Sequence, residues 1–198
     1  MKKHIISLSY FLLFALIANA QNFDFGVQAG ANFATLSGEE SDNYNSRIAI
    51  NVGVTGEYFL GESFGLSSGI IYSAQGATLE QEGSEANLKL DYFNVPVMLK
   101  YYLGVSGLSL EAGPQVGFLI NGDFDSLNTS TDTELEAKSI DLSLGTGLSY
   151  KFRRGSTLDG LSVGARYMSG LNDVFEDADR NGLEVSNNVF SVNLGYRF

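Results

Sequence analysis

The chain has no cysteine, no tryptophan, one histidine and two prolines in 198 residues. Without cysteine there is no disulfide and no thiolate chemistry, so an exported form must be held by packing and hydrogen bonds. The only histidine, His4, lies in the first few residues. A zinc site or a triad built on histidine therefore has no residue further along to use. Basic residues are scarce, 12 against 23 acids, for a net charge of −11. That balance repels nucleic acid, and no nucleic-acid partner is expected. Long apolar runs are missing too. The longest, Ile5 to Ala18, spans 14 residues and is broken by Ser7 and Ser9. It is too short for a helix that must cross a bilayer.

That run follows Met1-Lys2-Lys3-His4 and precedes Ala18-Asn19-Ala20. A basic start, a short apolar stretch and small residues before a boundary form the layout of a secretory signal peptide. Cleavage is expected after Ala20, with residues 1–20 as the signal and 21–198 as one domain. The mature chain would carry ten bases against 23 acids, a net charge of −13.

What is abundant is glycine, 23 residues, scattered through stretches that alternate apolar and polar side chains. Strict alternation is the mark of strands with two different faces. Eight strands follow: 23–33, 47–59, 64–75, 88–101, 107–119, 139–152, 160–171 and the closing NNVFSVNLGYRF, 187–198. In 139–152, Ile140, Leu142, Leu144, Leu148, Tyr150 and Phe152 oppose Ser139, Asp141, Ser143, Gly145, Gly147, Ser149 and Lys151. In the last strand, Phe190, Val192, Leu194, Tyr196 and Phe198 oppose Val189, Ser191, Asn193, Gly195 and Arg197. Phe59 breaks the outward phase of its strand, and a bulge or turn start is expected there. The GxxxG pairs sit within alternating strands and read as interior glycines, not as helix contacts.

Connections alternate between short (60–63, 102–106, 153–159) and long (34–46, 76–87, 120–138, 172–188). The long ones hold 16 of the 23 acids. An up-and-down sheet has this pattern when one rim is made of turns and the other of free loops.

Alternation leaves open which face is wet. A soluble sandwich or lipocalin-like barrel buries the apolar face; a membrane barrel turns it outward. Three features favour the membrane. The polar-side residues are mostly Gly and Ser, as the narrow bore of eight strands requires. The larger polar residues, Glu57, Lys100, Glu111, Asp141, Lys151, Arg166 and Arg197, all fall on that same side. They number three acids and four bases, nearly balanced in a strongly acidic chain, as an interior network needs. Most strands run beyond ten residues, with aromatics at their ends. Phe64, Tyr72, Tyr101, Phe118, Tyr150, Tyr167 and Tyr196 are expected to face the membrane. The fold class is all-β: an eight-stranded antiparallel up-and-down transmembrane β-barrel, closed so that every backbone amide is paired.

GVQAGANFATLSG (26–38), FGLSSGIIYSAQGA (64–77), YFNVPVMLKYYL (92–103), EAGPQVGFLING (111–122), ARYMSGLNDV (165–174) and the ending VNLGYRF resemble the outer membrane protein beta-barrel domain family of Bacteroidetes-type bacteria. The blocks occur in family order across nearly the whole mature chain. The resemblance implies a small outer-membrane barrel and brings no catalytic residues. Phe198 resembles the terminal aromatic that outer-membrane assembly machinery recognises as an assembly signal. Localisation would be the outer membrane of a Gram-negative bacterium, with periplasmic termini and extracellular acidic loops.

Specific sites are few. Asp177, Asp179 and Asn181 resemble the first half of a calcium loop, but position twelve is Asn188 instead of Glu, leaving at most a weak divalent-cation loop. No cofactor and no enzymatic activity are expected. Solute transport is not expected either, because the charged interior would plug so narrow a barrel. Two roles remain. One is a structural or envelope-associated barrel with no chemistry of its own. The other is a surface adhesion or partner-binding barrel acting through its acidic loops, where Leu127 and Val174 would either contact a partner or pack on the rim. The partners implied are outer-membrane lipid and lipopolysaccharide, the assembly machinery, and an unidentified envelope or extracellular protein.

Overall fold

The computed structural model describes residues 22–38, 44–81, 84–126, 129–134, 137–174 and 185–198. The described residues form nine strands: β1 Phe23–Gly38, β2 Tyr44–Phe59, β3 Phe64–Gln81, β4 Ser84–Tyr102, β5 Leu108–Ser126, β6 Thr129–Glu134, β7 Ile140–Lys151, β8 Leu161–Gly170 and β9 Val185–Arg197. All pairings are antiparallel, and β5 pairs with both β4 and β7. β9 returns to β1, from Gly26↔Arg197 to Gly38↔Val185, and Phe198 N donates to Phe25 O at 2.9 Å. Eight strands thus close a barrel, while β6 lies outside the ring on the far end of β5.

The faces are those of a membrane protein. Ile48, Ile50, Leu144 and Leu194 are all more than half exposed, while Asn32, Asn51, Glu57 and Asp141 are buried inside. Hydrocarbon supplies no hydrogen bonds, so the strands must pair completely while their apolar residues point outward.

Aromatics bound the apolar band with a regular step. Phe25 and Phe33, Phe64 and Tyr72, Phe93 and Tyr101, and Phe190 and Phe198 each lie eight residues apart on their strands. Neighbouring strands bring them together at each level: Phe64 meets Tyr101 at the short-turn end, and Phe33 meets Phe190 at the other.

Beyond the second girdle the polarity of the two faces reverses. Leu88, Leu90 and Tyr92 point inward and are buried, with Lys89 and Asp91 opposite, whereas from Phe93 onward the outward residue is the apolar one. Leu36 and Val185 mark the same reversal on β1 and β9. Outside hydrocarbon a sheet again buries its oily side.

The long connections are shorter than the alternation implies. β3 and β4 stay paired to Gln81↔Ser84 through most of 76–87, and β5 runs to Ser126 before β6 folds back on it. Once the outward apolar requirement ends, alternation no longer reveals a strand that backbone pairing continues. Phe59 also differs from expectation. β2 reaches it without a bulge, Phe59 pairing with Gly65, and the β2–β3 irregularity lies between Ser46 and Asn51. Phe59 shares Glu57's inward phase and covers the interior at the short-turn end.

At about 2.6 Å of height per residue in a tilted strand, β8 with 10 residues only spans the band. β4 and β5, with 19 each, rise beyond it. The excess is roughly 20 Å, so one side of the barrel stands as a wall above the other.

Candidate functional site

The interior is stacked in three levels, each set by the inward residues of successive strands. At the short-turn end, seven charged side chains alternate in sign. Arg197 meets Asp24 at 2.9 Å, and Asp24 meets Lys151 at 3.7 Å. Lys151 meets Glu57 at 2.7 Å, and Glu57 meets Lys100 at 3.4 Å. Lys100 meets Glu111 at 3.4 Å, and Glu111 meets Arg166 at 2.7 Å. These residues come from every barrel strand except β3.

Asp24 and Glu57 are direct neighbours in the β1–β2 register. Two buried carboxylates side by side repel unless a cation lies between them, and Lys151 reaches both. Its ammonium also faces the rings of Phe59 and Tyr102, 4.7 and 5.3 Å from their centroids, where ring quadrupoles favour a cation. The Tyr102 hydroxyl donates to Glu57. From the turn outside, Arg154 reaches Asp24 at 3.4 Å.

β3 contributes space. A Cβ on Gly65 would stand 2.6 Å from Glu57 Oε1, and one on Gly147 of β7 would stand 2.9 Å from Glu111 Oε1. The glycines are therefore the niches in which the carboxylates lie.

The middle level is neutral and polar. Asn51 Nδ2 donates to Asn32 Oδ1 at 2.8 Å, and Asn32 Nδ2 donates to Ser73 Oγ and Ala74 O, each at 2.8 Å. Gln75 Nε2 donates to Ser73 Oγ at 2.9 Å, and Asn187 Nδ2 donates to Gln75 Oε1. The upper level is apolar: Leu36, Ala77, Leu88, Leu90, Tyr92, Val174 and Val185 pack together.

Space inside is small. A cavity of about 100 Å³ lies among Asp24, Gln28, Glu57, Lys100, Arg166 and Arg197, and one of about 30 Å³ among Asn32, Asn51, Ser73 and Gln115. A water occupies about 30 Å³ of liquid, so these spaces suit a few waters. Among the described residues no three of His, Cys, Asp and Glu converge as a metal site.

Six of the seven expected network residues, Glu57, Lys100, Glu111, Lys151, Arg166 and Arg197, lie in the ion chain. Asp141 does not. It is buried at 5 % exposure on the same inner face, and its Oδ1 lacks a partner among the described residues. Its place among the ion pairs is held by Asp24. The alternation puts Asp24 on the inner face, yet only the register setting it beside Glu57 reveals its part. Of the outward aromatics, Phe64, Tyr101, Phe118, Tyr167 and Tyr196 are exposed, and Tyr72 and Tyr150 half-exposed. Phe198 is 80 % exposed at the seam. Val174 points inward, 2 % exposed, with its N donating to Val185 O at 2.9 Å. Asp177, Asp179, Asn181 and Leu127 lie outside the described residues.

Comparison with known proteins agrees with this architecture. The family model described as "Outer membrane protein beta-barrel domain" matches residues 19–176. Among solved structures, Neisserial surface protein A is 17 % identical, with 88 % of this chain and 97 % of that chain covered and a TM-score of 0.57. Ail, the attachment invasion locus protein of Yersinia pestis, is 15 % identical, with 89 % and 99 % covered and a TM-score of 0.51. Ail also matches in its complex with the heparin analogue sucrose octasulfate, at a TM-score of 0.50. Among curated proteins none matches.

Proposed function

The chain belongs to the outer membrane protein beta-barrel domain family, and from that premise we propose that it is a structural or envelope-associated barrel of the outer membrane with no chemistry of its own. The observation that carries this reading is the filled interior. Seven alternating charges, a polar middle level and an apolar upper level occupy the bore, and a charge network so placed acts as a plug. Residues 1–20 are removed on export, the termini lie in the periplasm, and the acidic connections face outward. Phe198 serves the assembly machinery as the terminal aromatic. Purified outer-membrane fractions test this: the unboiled protein should migrate faster than the boiled one on a detergent gel. In planar bilayers it should give no steady solute-sized conductance. A persistent open channel would replace the structural reading with a transport one.

The tall wall formed by β3, β4 and β5 supports a second reading, attachment to a surface partner. Ail bears the words attachment and invasion in its name and has been crystallised with a heparin analogue. For this chain a polyanion is the wrong partner, because 16 of the 23 acids lie in the long connections. A basic protein surface fits instead. Deletion of residues 121–137 should abolish capture of such a partner and leave the gel shift intact; unchanged capture would remove this reading.

A further inference from the structure

The geometry points to a binding site for a monovalent cation of the sodium type inside the barrel, held between Asp141 and Asn94 over Gly117. Three inner glycines each lie against an acidic residue. Gly65 makes room for Glu57 and Gly147 for Glu111, and both of those carboxylates have cationic partners. Gly117 is the third. It lies between Asn94 and Asp141 in one row across β4, β5 and β7. A Cβ there would stand 2.7 Å from Asn94 Oδ1 and 3.4 Å from Asp141 Cβ. The third niche has the acid but no base: among the described residues no lysine or arginine pairs with Asp141.

Asn94 is the independent sign of a ligand. It is 4 % exposed, and among the described residues neither its Oδ1 nor Asp141 Oδ1 has a hydrogen-bond donor. One buried acceptor oxygen at the notch, Asn94 Oδ1, and a second on Asp141, whose Cβ borders it, leave a place for something positive. Buried oxygens without a donor are costly, and a carboxylate without a counter-charge more so. Gln115 and Ser143 occupy the next row toward the short-turn end, where Gln115 Nε2 donates to Ser143 Oγ at 3.4 Å. On the other side the Tyr92 ring, 3.3 Å from the notch and itself 1 % exposed, keeps bulk water away. The donor set decides the ion. One carboxylate and neutral oxygens match a single positive charge, whereas calcium takes six to eight oxygens, usually from several carboxylates.

The test uses the full mature barrel refolded in detergent. The temperature at which the fast-migrating folded band is lost is measured in sodium chloride and in N-methylglucamine chloride of equal ionic strength. The glucamine ion is too large for the niche, so salt screening is the same in both. Sodium should raise the midpoint by about 3 °C through linkage, and Asp141→Asn should abolish the difference. Asn94→Ala should shift the sodium dependence to higher concentration. Gly117→Ala, which fills the notch, should abolish it as well and serves as the second variant if Asp141→Asn does not refold. Sodium-23 line broadening by the wild type, lost in either variant, would support the site directly. Equal midpoints in the two salts would overturn it. So would a sodium effect that survives both Asp141→Asn and Gly117→Ala, or an Asp141-dependent effect of calcium alone.

Discussion

The two ends of the barrel interior solve the same filling problem in opposite ways. At the short-turn end the bore holds seven charged groups linked by ion pairs of 2.7 to 3.7 Å. At the long-connection end it holds leucine, valine, alanine and a tyrosine in contact. The wall around the charged end is lipid, and the wall around the apolar end stands in water. Within the membrane the outer face has taken the apolar residues, and the interior must remain polar enough to be distinguished from it. Above the membrane the usual rule returns. The reversal between Tyr92 and Phe93 is where one solvent replaces the other.

This contrast can be broken at each end. Lys151→Met removes the cation between Asp24 and Glu57 and should cost about 3–5 kcal/mol, as for one partner of a buried pair. Urea unfolding in lipid vesicles measures it, and Glu57→Gln in the same chain should recover part. An unmoved midpoint would mean the charges act separately. Leu90→Ala at the apolar end should cost about 2–4 kcal/mol, but locally. Hydrogen exchange should quicken in β4 and β5 above Phe93 while the band below keeps its protection. If protection falls evenly along both strands, the two ends are one cooperative unit. Gly147→Ala should cost about 1–3 kcal/mol by crowding, because the added methyl meets Ala165 O at 2.7 Å as well as Glu111. The smallest effect is expected from Val174→Ser, on the order of 1–2 kcal/mol. It should speed protease cleavage of the 172–188 connection and leave heat-modifiability unchanged.

The sequence showed the barrel well because lipid enforces alternation. A strongly polar residue on the outer face of 139–152 would face hydrocarbon, so Ile140, Leu142, Leu144 and Leu148 recur there, broken only by Thr146. The inner face was legible for the same reason, and six of the charged residues chosen from it lie in one ion chain. Partners were not legible. Asp24 and Asp141 share the inner phase, yet the first lies beside Glu57 and the second beside Gly117, a difference made by register between strands distant in sequence. Strand ends above the membrane were hidden as well. Leu88, Leu90 and Tyr92 alternate as regularly as Phe93 and Val95, but in the opposite phase. Phe59 was expected to mark a bulge or turn start because an aromatic off the outward phase looks like a break, whereas the regular strand simply points it inward as a lid over Lys151.

The eight-residue step between girdles has a consequence for where the barrel can live. Eight tilted residues give about 21 Å of height, whereas an ordinary hydrocarbon slab measures about 30 Å. A barrel this short strains a thick bilayer, which must thin around it or leave its aromatic anchors submerged. The same ruler that sets the girdles therefore favours a thin membrane. Insertion should be faster into vesicles of short-chain lipids than into long-chain ones, so hydrophobic mismatch itself would help sort this chain to its destination.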